Sequence, residues 1–353
     1  MTNENKPFMP APKKLLVTSS PHLHEDLTTA RVMWDVNLAL LPALLMALYN
    51  FRGKAAVVIL MSVLGAVFAE WAIQKFLFKK QCTIADGSAI LTGILLAFCV
   101  PAALPWWIAF LGGIIAIALG KQVYGGLGQN VFNPAHVSRA ILLASWPVYM
   151  TTWLKPAGVA ATDAITCATP LGILKEASRN PELLNQLSEK GTSLIGYTLA
   201  QLQVSFSDLF LGLKFSGSLG ETSKLALLIG GLYLLIRGHI TWQAPVAMVA
   251  TVFGGALLFG GSLEYALFHL LTGGLIIGAI FMITDMVTSP MTGTGQLIFG
   301  FGCGAITLLI RMKGGYPEGV CYSILIMNAI VPLIDKFTVP TKFGMVAPKE
   351  VKA

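Results

Sequence analysis

Residues 88–119 read SAILTGILLAFCVPAALPWWIAFLGGIIAIAL. The run is apolar and holds no charged side chain. Pro101 and Pro105 divide it into stretches at about 88–104 and 105–119. Eight more apolar stretches lie outward from it, at about 36–51, 55–77, 137–150, 225–236, 244–260, 268–283, 297–310 and 319–334. Several are shorter than the ~20 residues that span a bilayer. Many contain Gly or Pro, such as Gly112, Gly113, Gly273 and Gly274. Two readings stay open: small residues that pack continuous helices, or helices broken inside the membrane, as in transporters.

Composition points the same way. Of 353 residues, 55% are apolar and 12% charged, and the mean hydropathy is +0.72. A soluble domain carries about 25% charged residues, so an ordinary cytosolic enzyme, a secreted disulfide scaffold and a disordered chain are excluded. The net charge of +7 is read through the positive-inside rule; no motif suggests nucleic acid. The five cysteines are scattered and form no C-x-x-C pair, which argues against a zinc or iron–sulfur site held by this chain alone. The polar segment 1–35 has no apolar core and does not read as a signal peptide.

These features predict an all-α integral membrane protein of about ten transmembrane helices in two five-helix halves. The expected order is a cytoplasmic segment 1–35, a first half 36–150, a long loop 151–224, a second half 225–335 and a cytoplasmic tail 336–353. Ten spans put both termini on one side. Fourteen Lys and Arg residues, Lys121, Arg139 and Arg237 among them, then fall on that side, against four on the other (Arg52, Lys54, Arg311 and Lys313). The count predicts cytoplasmic termini and an extracytoplasmic long loop. Each half holds a polar, Pro-containing break, Gln129–Ala135 in the first and Thr284–Pro290 in the second. An odd number of spans per half inverts one half against the other, the pattern of an inverted repeat with a site near the midplane.

Acidic residues at membrane depth are costly and therefore candidates for an ion pathway. Glu70 lies inside the second stretch, Asp86 opens the third, Asp285 closes the eighth and Asp335 closes the tenth. Lys75, five residues from Glu70, is an imperfect helical partner. Glu264 and Glu318 read as interfacial, solvated acids. Asn130, Asn133, Thr284 and Thr288, at the polar breaks, offer neutral oxygens for a hard cation or could line a cofactor. Glu221 lies in Gly217–Ser223, which reads as a capped helix start or as a wall against a cofactor. His136, His239 and His269 stand at different depths and make a poor haem-ligand set.

The long loop contains Asp163-Ala164-Ile165-Thr166-Cys167-Ala168-Thr169-Pro170. Pro170 biases Thr169 away from helix, which leaves its hydroxyl either free for a ligand or engaged in a local turn. Spacing alone does not separate these. The segment resembles the D-G/A-x-S/T-x-A-T motif at which a flavin transferase attaches FMN to threonine through a phosphodiester. Residues 121–135, 217–223, 281–285 and 314–319 are similar to further signatures of the RnfD/NqrB family, in the family's order along the chain. The short N-terminal segment is more like the RnfD branch. Cys167 stands where NqrB relatives usually have Gly.

The resemblance implies a membrane electron carrier in a complex that couples ferredoxin/NAD electron transfer to Na+ or H+ translocation across a bacterial inner membrane. It implies covalent FMN on Thr169, with Asp163, Thr166 and Ala168 as recognition residues for the transferase. A second, noncovalent flavin such as riboflavin is expected, with an extracytoplasmic flavin subunit and iron–sulfur subunits as partners. A cofactor-free channel or transporter with inverted repeats, and a purely structural anchor, are the competing readings.

Overall fold

A computed structural model describes residues 27–79, 82–156, 167–189, 192–214 and 216–340. The described residues form helices and turns, with one isolated β-bridge between Pro101 and Ser218. Five helices are long and apolar enough to cross a membrane, or six if a bent pair counts as one span. Each of the ten apolar stretches is mostly helical; residues 99–104 of the third form turns and the bridge.

The first two stretches share α1 (Thr29–Ala72), which continues as a π-helical turn Ile73–Leu77. Inside α1, Arg52 adopts φ 49° and ψ −131°, outside helical space and strained for a residue with a Cβ. The chain reverses there. Trp34 Nε1 and Asn37 Nδ2 donate to the carbonyls of Ala85 and Gly87, at 3.3 and 3.2 Å. Gln74 Nε2 donates to Thr83 Oγ1 at 2.8 Å. Residues on both arms of α1 therefore reach the same segment, 83–88. In an unbroken helix Asn37 and Glu70 would stand about 50 Å apart. The Arg52 break thus turns one very long helix into the two stretches expected at 36–51 and 55–77.

The second arm of α1 packs on α3 (Trp106–Gly120) through small residues. A Cβ built on Gly113 would lie 2.3 Å from the Ser62 carbonyl oxygen, so only glycine permits that approach. In the second half α14 (Gly293–Lys313) packs on α11 (Gln243–Gly260) in the same manner, Gly300 against the Ala244 carbonyl. Between these layers run α2 (Ser88–Phe98) and α10 (Lys224–Ile236), both short and apolar. The remaining elements of the first half are α4 (Pro134–Ser145) and α5 (Pro147–Met150). The main apolar cluster of the core includes Leu40, Phe98, Ile108, Leu219 and Phe299, all fully buried.

Of the two readings left open, the eighth stretch shows the broken helix. There α12 (Leu263–Leu271) and α13 (Leu275–Ile277), the latter continued by a π-helical turn to Met282, meet at a 67° bend. Thr272, Gly273 and Gly274 form the break, and Gly273 takes φ +71°, a conformation glycine adopts without strain. Arg311 holds the freed ends: its NH1 and NH2 donate to the carbonyls of His269 and Thr272 at 2.5 and 2.9 Å. The final helix is α15 (Val320–Thr338).

The described part of 151–224 folds as a small helical cap of α6 (Pro170–Arg179), α7 (Pro181–Glu189), α8 (Leu194–Leu202) and α9 (Phe206–Leu211). It has its own apolar cluster of Leu171, Leu174, Ile195, Val204 and Leu209, seated on Phe268.

Candidate functional site

Thr169 is the N-cap of α6. Its backbone is extended, as Pro170 requires, and its Oγ1 accepts from Gly172 N at 3.1 Å. The hydroxyl therefore sits at a helix N-terminus, where orphan N–H groups and the helix dipole favour negative charge. Thr169 is largely buried, at 4% exposure, and it lines a cavity of about 530 Å³.

Trp153, Tyr316 and Tyr322 give that cavity aromatic walls; the two tyrosine rings stack at 6.4 Å and 25°. Arg139 and Glu318 give it a polar wall. Their ion pair is 2.6 Å long and joins α4, in the first half, to the turn before α15 in the second. The second carboxylate oxygen, Glu318 Oε1, is buried and has no hydrogen-bond partner. A lone buried acceptor of this kind points to a missing donor. Ala168 and Cys167 line the same cavity, and the Ala168 carbonyl accepts from Ser216 Oγ at 2.8 Å. Asp163 and Thr166, expected to complete the attachment motif, lie outside the described residues.

The residues present fit the group expected at Thr169. The volume is in the range of ligand pockets, about 300–1,000 Å³. A phosphoryl group on Oγ1 would meet the α6 N-terminus, the aromatic walls suit a planar ring system, and Glu318 Oε1 supplies an acceptor.

Two of the sequence expectations change here. Glu318 was expected to be an interfacial solvated acid, yet its side chain is 10% exposed and ion-paired. Arg139 was counted on the cytoplasmic side with Lys121. Lys121 lies at one end of α3, whereas Arg139 lines the Thr169 cavity, near Trp146 and the opposite end of that helix. Both shifts follow from α4 starting at Pro134, which carries Arg139 well into the bundle.

A second polar region lies at the far end of the bundle. Lys121 Nζ donates to Glu70 Oε1 and Ser88 Oγ, both at 2.7 Å. Glu70 also accepts from Gln74 and Gln122. Its partner is thus Lys121, not Lys75. The two polar breaks meet beside this pair. Asn133 caps α4 through Ala135 N at 3.1 Å and donates to the Met282 carbonyl at 3.5 Å. Asn130 donates to the Phe132 carbonyl at 3.3 Å. Asp285 accepts from Val287 N and Thr288 Oγ1 at 3.3 and 3.2 Å. Asn130, Asn133, Thr284 and Asp285 line one small cavity with Ser88 and Lys121.

The other candidates are separate. Asp86 accepts from Ser88 N and Oγ at 2.9 and 2.7 Å and lines a neighbouring open cavity. Asp335 accepts from Met291 N at 3.1 Å and lines neither cavity. Glu221 Oε1 accepts from Ser218 Oγ at 2.6 Å; it does not line the Thr169 cavity, and Ser223 caps α10 as the helix-start reading expects. Among the described residues no group of three or more His, Cys, Asp or Glu side chains is placed to hold a metal ion.

Comparison with known proteins gives a consistent result. Residues 16–344 match the NQR2, RnfD, RnfE family. The chain is 49% identical to a component of the proton-translocating ferredoxin:NAD(+) oxidoreductase complex of Clostridium ljungdahlii, over 93% of this chain and 96% of that protein. It is 45% identical to the corresponding component of the Na(+)-translocating complex of Acetobacterium woodii, over 96% and 98%. It is 42% identical to a component of the ion-translocating oxidoreductase complex of Stutzerimonas stutzeri, over 89% and 92%.

Proposed function

The chain belongs to the NQR2, RnfD, RnfE family, and from that premise we propose that it is the membrane electron-transfer subunit of an ion-translocating ferredoxin:NAD oxidoreductase complex. The observation that carries the reading is the buried Thr169 hydroxyl at a helix N-terminus, opening on a cavity with aromatic walls and an unpartnered acceptor. FMN joined to Thr169 Oγ1 would supply one- and two-electron transfer there. The chain's own part is to hold the phosphoryl group at the α6 N-terminus, to wall the ring with Trp153, Tyr316 and Tyr322, and to exclude water. Asp163, Thr166 and Ala168 serve the flavin transferase as its recognition sequence.

The ten-span inverted repeat belongs to the same proposal. The Arg52 reversal, the bent eighth stretch and the like packing of α3 on α1 and α14 on α11 all support it. In that arrangement both termini are cytoplasmic, in a bacterial inner membrane, and the Thr169 cavity faces outward towards an extracytoplasmic flavin subunit. The polar cavity at the other end, with Asn130 and Asn133, is then cytoplasmic and suits a second, noncovalent flavin or the entry of the coupling ion. Relatives are named for a proton in one case and sodium in another, and the coupling ion is Na+ or H+. Iron–sulfur subunits complete the expected set of partners.

The deciding experiment is mass spectrometry of the peptide that contains Thr169, taken from cells that express a flavin transferase. A gain of one FMN less one water, with in-gel fluorescence, is the expected result. An unmodified peptide from such cells overturns the flavin reading and leaves a cofactor-free transporter as the better account.

A further inference from the structure

Among the described residues, the Arg139–Glu318 pair is the charged feature of the Thr169 cavity that attachment itself does not need. Arg139 NH2 and Glu318 Oε2 are 2.6 Å apart, with side chains 11% and 10% exposed. As a pair they bring almost no net charge into the cavity. The pairing uses only one carboxylate oxygen; Oε1 is buried without a partner. A buried carboxylate oxygen left unpaired costs free energy, so the arrangement is wasteful unless something in the cavity donates to it. Cys321 Sγ donates to the His136 carbonyl at 3.5 Å, a further contact between α15 and α4 beside the pair.

We propose that Glu318, held in place by Arg139, accepts a hydrogen bond from the flavin at Thr169 and lowers its reduction potential. The proposal rests on the flavin reading above. Reduction by two electrons brings negative charge into the cavity, and the Glu318 carboxylate opposes it. Arg139 limits the effect by offsetting the carboxylate's charge and holds the carboxylate in place through its Oε2 bond. Removal of the Glu318 charge alone leaves a cationic wall, which favours the reduced state. Glu318 is a positioning and tuning residue in this account; it transfers no electron itself.

The test is a dithionite redox titration, with mediators, of the full-length chain purified from a host that expresses the flavin transferase. The Thr169→Ala chain supplies the blank, since any flavin it retains is not the covalent one. Covalent flavin is measured by in-gel fluorescence for every variant. Glu318→Gln is isosteric and still accepts from Arg139. It is expected to keep the covalent flavin and to raise the ratio of reduced to oxidised flavin by about tenfold or more at a fixed ambient potential, the effect of one unit charge at close range. Glu318→Asp keeps the charge and is expected to titrate close to wild type. Flavinylated Glu318→Gln with an unchanged titration overturns the proposal. Loss of the covalent flavin from either variant also overturns it, because Glu318 would then govern attachment. Absence of covalent flavin from the wild-type chain instead removes the reading on which the proposal stands.

Discussion

Glu70 and Lys121, 51 residues apart in sequence, form an ion pair of 2.7 Å with side chains 0% and 3% exposed. The pair closes one end of the first half, since Lys121 ends α3, Glu70 stands on α1 and Ser88, its third member, starts α2. Burying two charges costs several kcal/mol per ion, and the cost is met only while both remain paired.

Glu70→Gln is therefore expected to destabilise the protein by about 3–5 kcal/mol, because it strands the Lys121 ammonium. The double variant Glu70→Gln with Lys121→Met is expected to recover most of that loss. Thermal unfolding of the purified protein in detergent measures both. A double variant as unstable as the single one would mean that the pair's role is packing and not charge.

Thr169→Ala is expected to abolish covalent flavin and, separately, to cost about 1 kcal/mol through the lost N-cap of α6. The sequence left the Thr169 hydroxyl either free for a ligand or engaged in a local turn. The hydroxyl's bond to Gly172 N makes the stability cost finite. Thr169→Ser keeps a capping oxygen and should recover the stability, which unfolding of the unflavinylated chains reads directly.

The helices were legible because burial in lipid demands long apolar runs, and most of each run is helical. The reversal at Arg52 was visible as a charged Arg52–Lys54 interruption, and the break at Gly273–Gly274 as paired glycines. Side-chain partnerships were not legible. Glu70 has Lys75 near it in sequence, yet it pairs with Lys121, which packing alone brings there. Arg139 and Glu318 looked like residues at opposite membrane surfaces, because a run of apolar residues does not show how far its helix extends before it. The two polar breaks, by contrast, were recognised separately and meet at one small cavity lined by Asn130, Asn133, Thr284 and Asp285.

Arg311 secures the broken eighth stretch by two hydrogen bonds to carbonyls that the bend leaves without helical partners. Arg311→Met is expected to cost at least about 3 kcal/mol, since bonds to charged groups contribute ~1.5–3 kcal/mol each. Arg311→Lys keeps the charge but lacks the planar fork that addresses both carbonyls at once, and should recover about half. Unfolding of the two variants side by side tests the ranking.

Asp208, outside the spans, closes a capping box with Ser205 at the start of α9. Its Oδ2 accepts from Ser205 N and Oγ at 3.0 and 2.9 Å. The backbone bond from Ser205 is the chief cause of a carboxyl pKa below its ordinary value, with Lys214 adding to it. A lowered folded-state pKa means the ionised cap stabilises the fold above the ordinary carboxylate range and is lost as pH falls through that range and below. The stability gap between wild type and Asp208→Asn is therefore expected to be constant near neutrality and to close below about pH 4. A gap that persists unchanged into acid would show that the carboxylate charge contributes nothing.

Asp285 is the acid whose surroundings best suit a transient cation. It sits at the polar break of the second half, accepts only neutral donors, Val287 N and Thr288 Oγ1, and shares a cavity with Asn130 and Asn133 of the first. Glu70, by comparison, is occupied by Lys121. Asp285→Asn keeps the shape and one accepting oxygen, for Val287 N, turns the Thr288 hydroxyl from donor to acceptor, and removes the charge that a Na+ or H+ would meet. In the assembled complex it is expected to leave the Thr169 flavin in place and to lower ions moved per electron severalfold, or to slow turnover where the two are tightly coupled. Proteoliposomes loaded with the complex, with ion uptake and electron transfer recorded together, make the measurement. Unchanged uptake per electron at unchanged turnover would remove Asp285 from the pathway and turn attention to Asp86, which faces the neighbouring open cavity with Gln74 and Gln122.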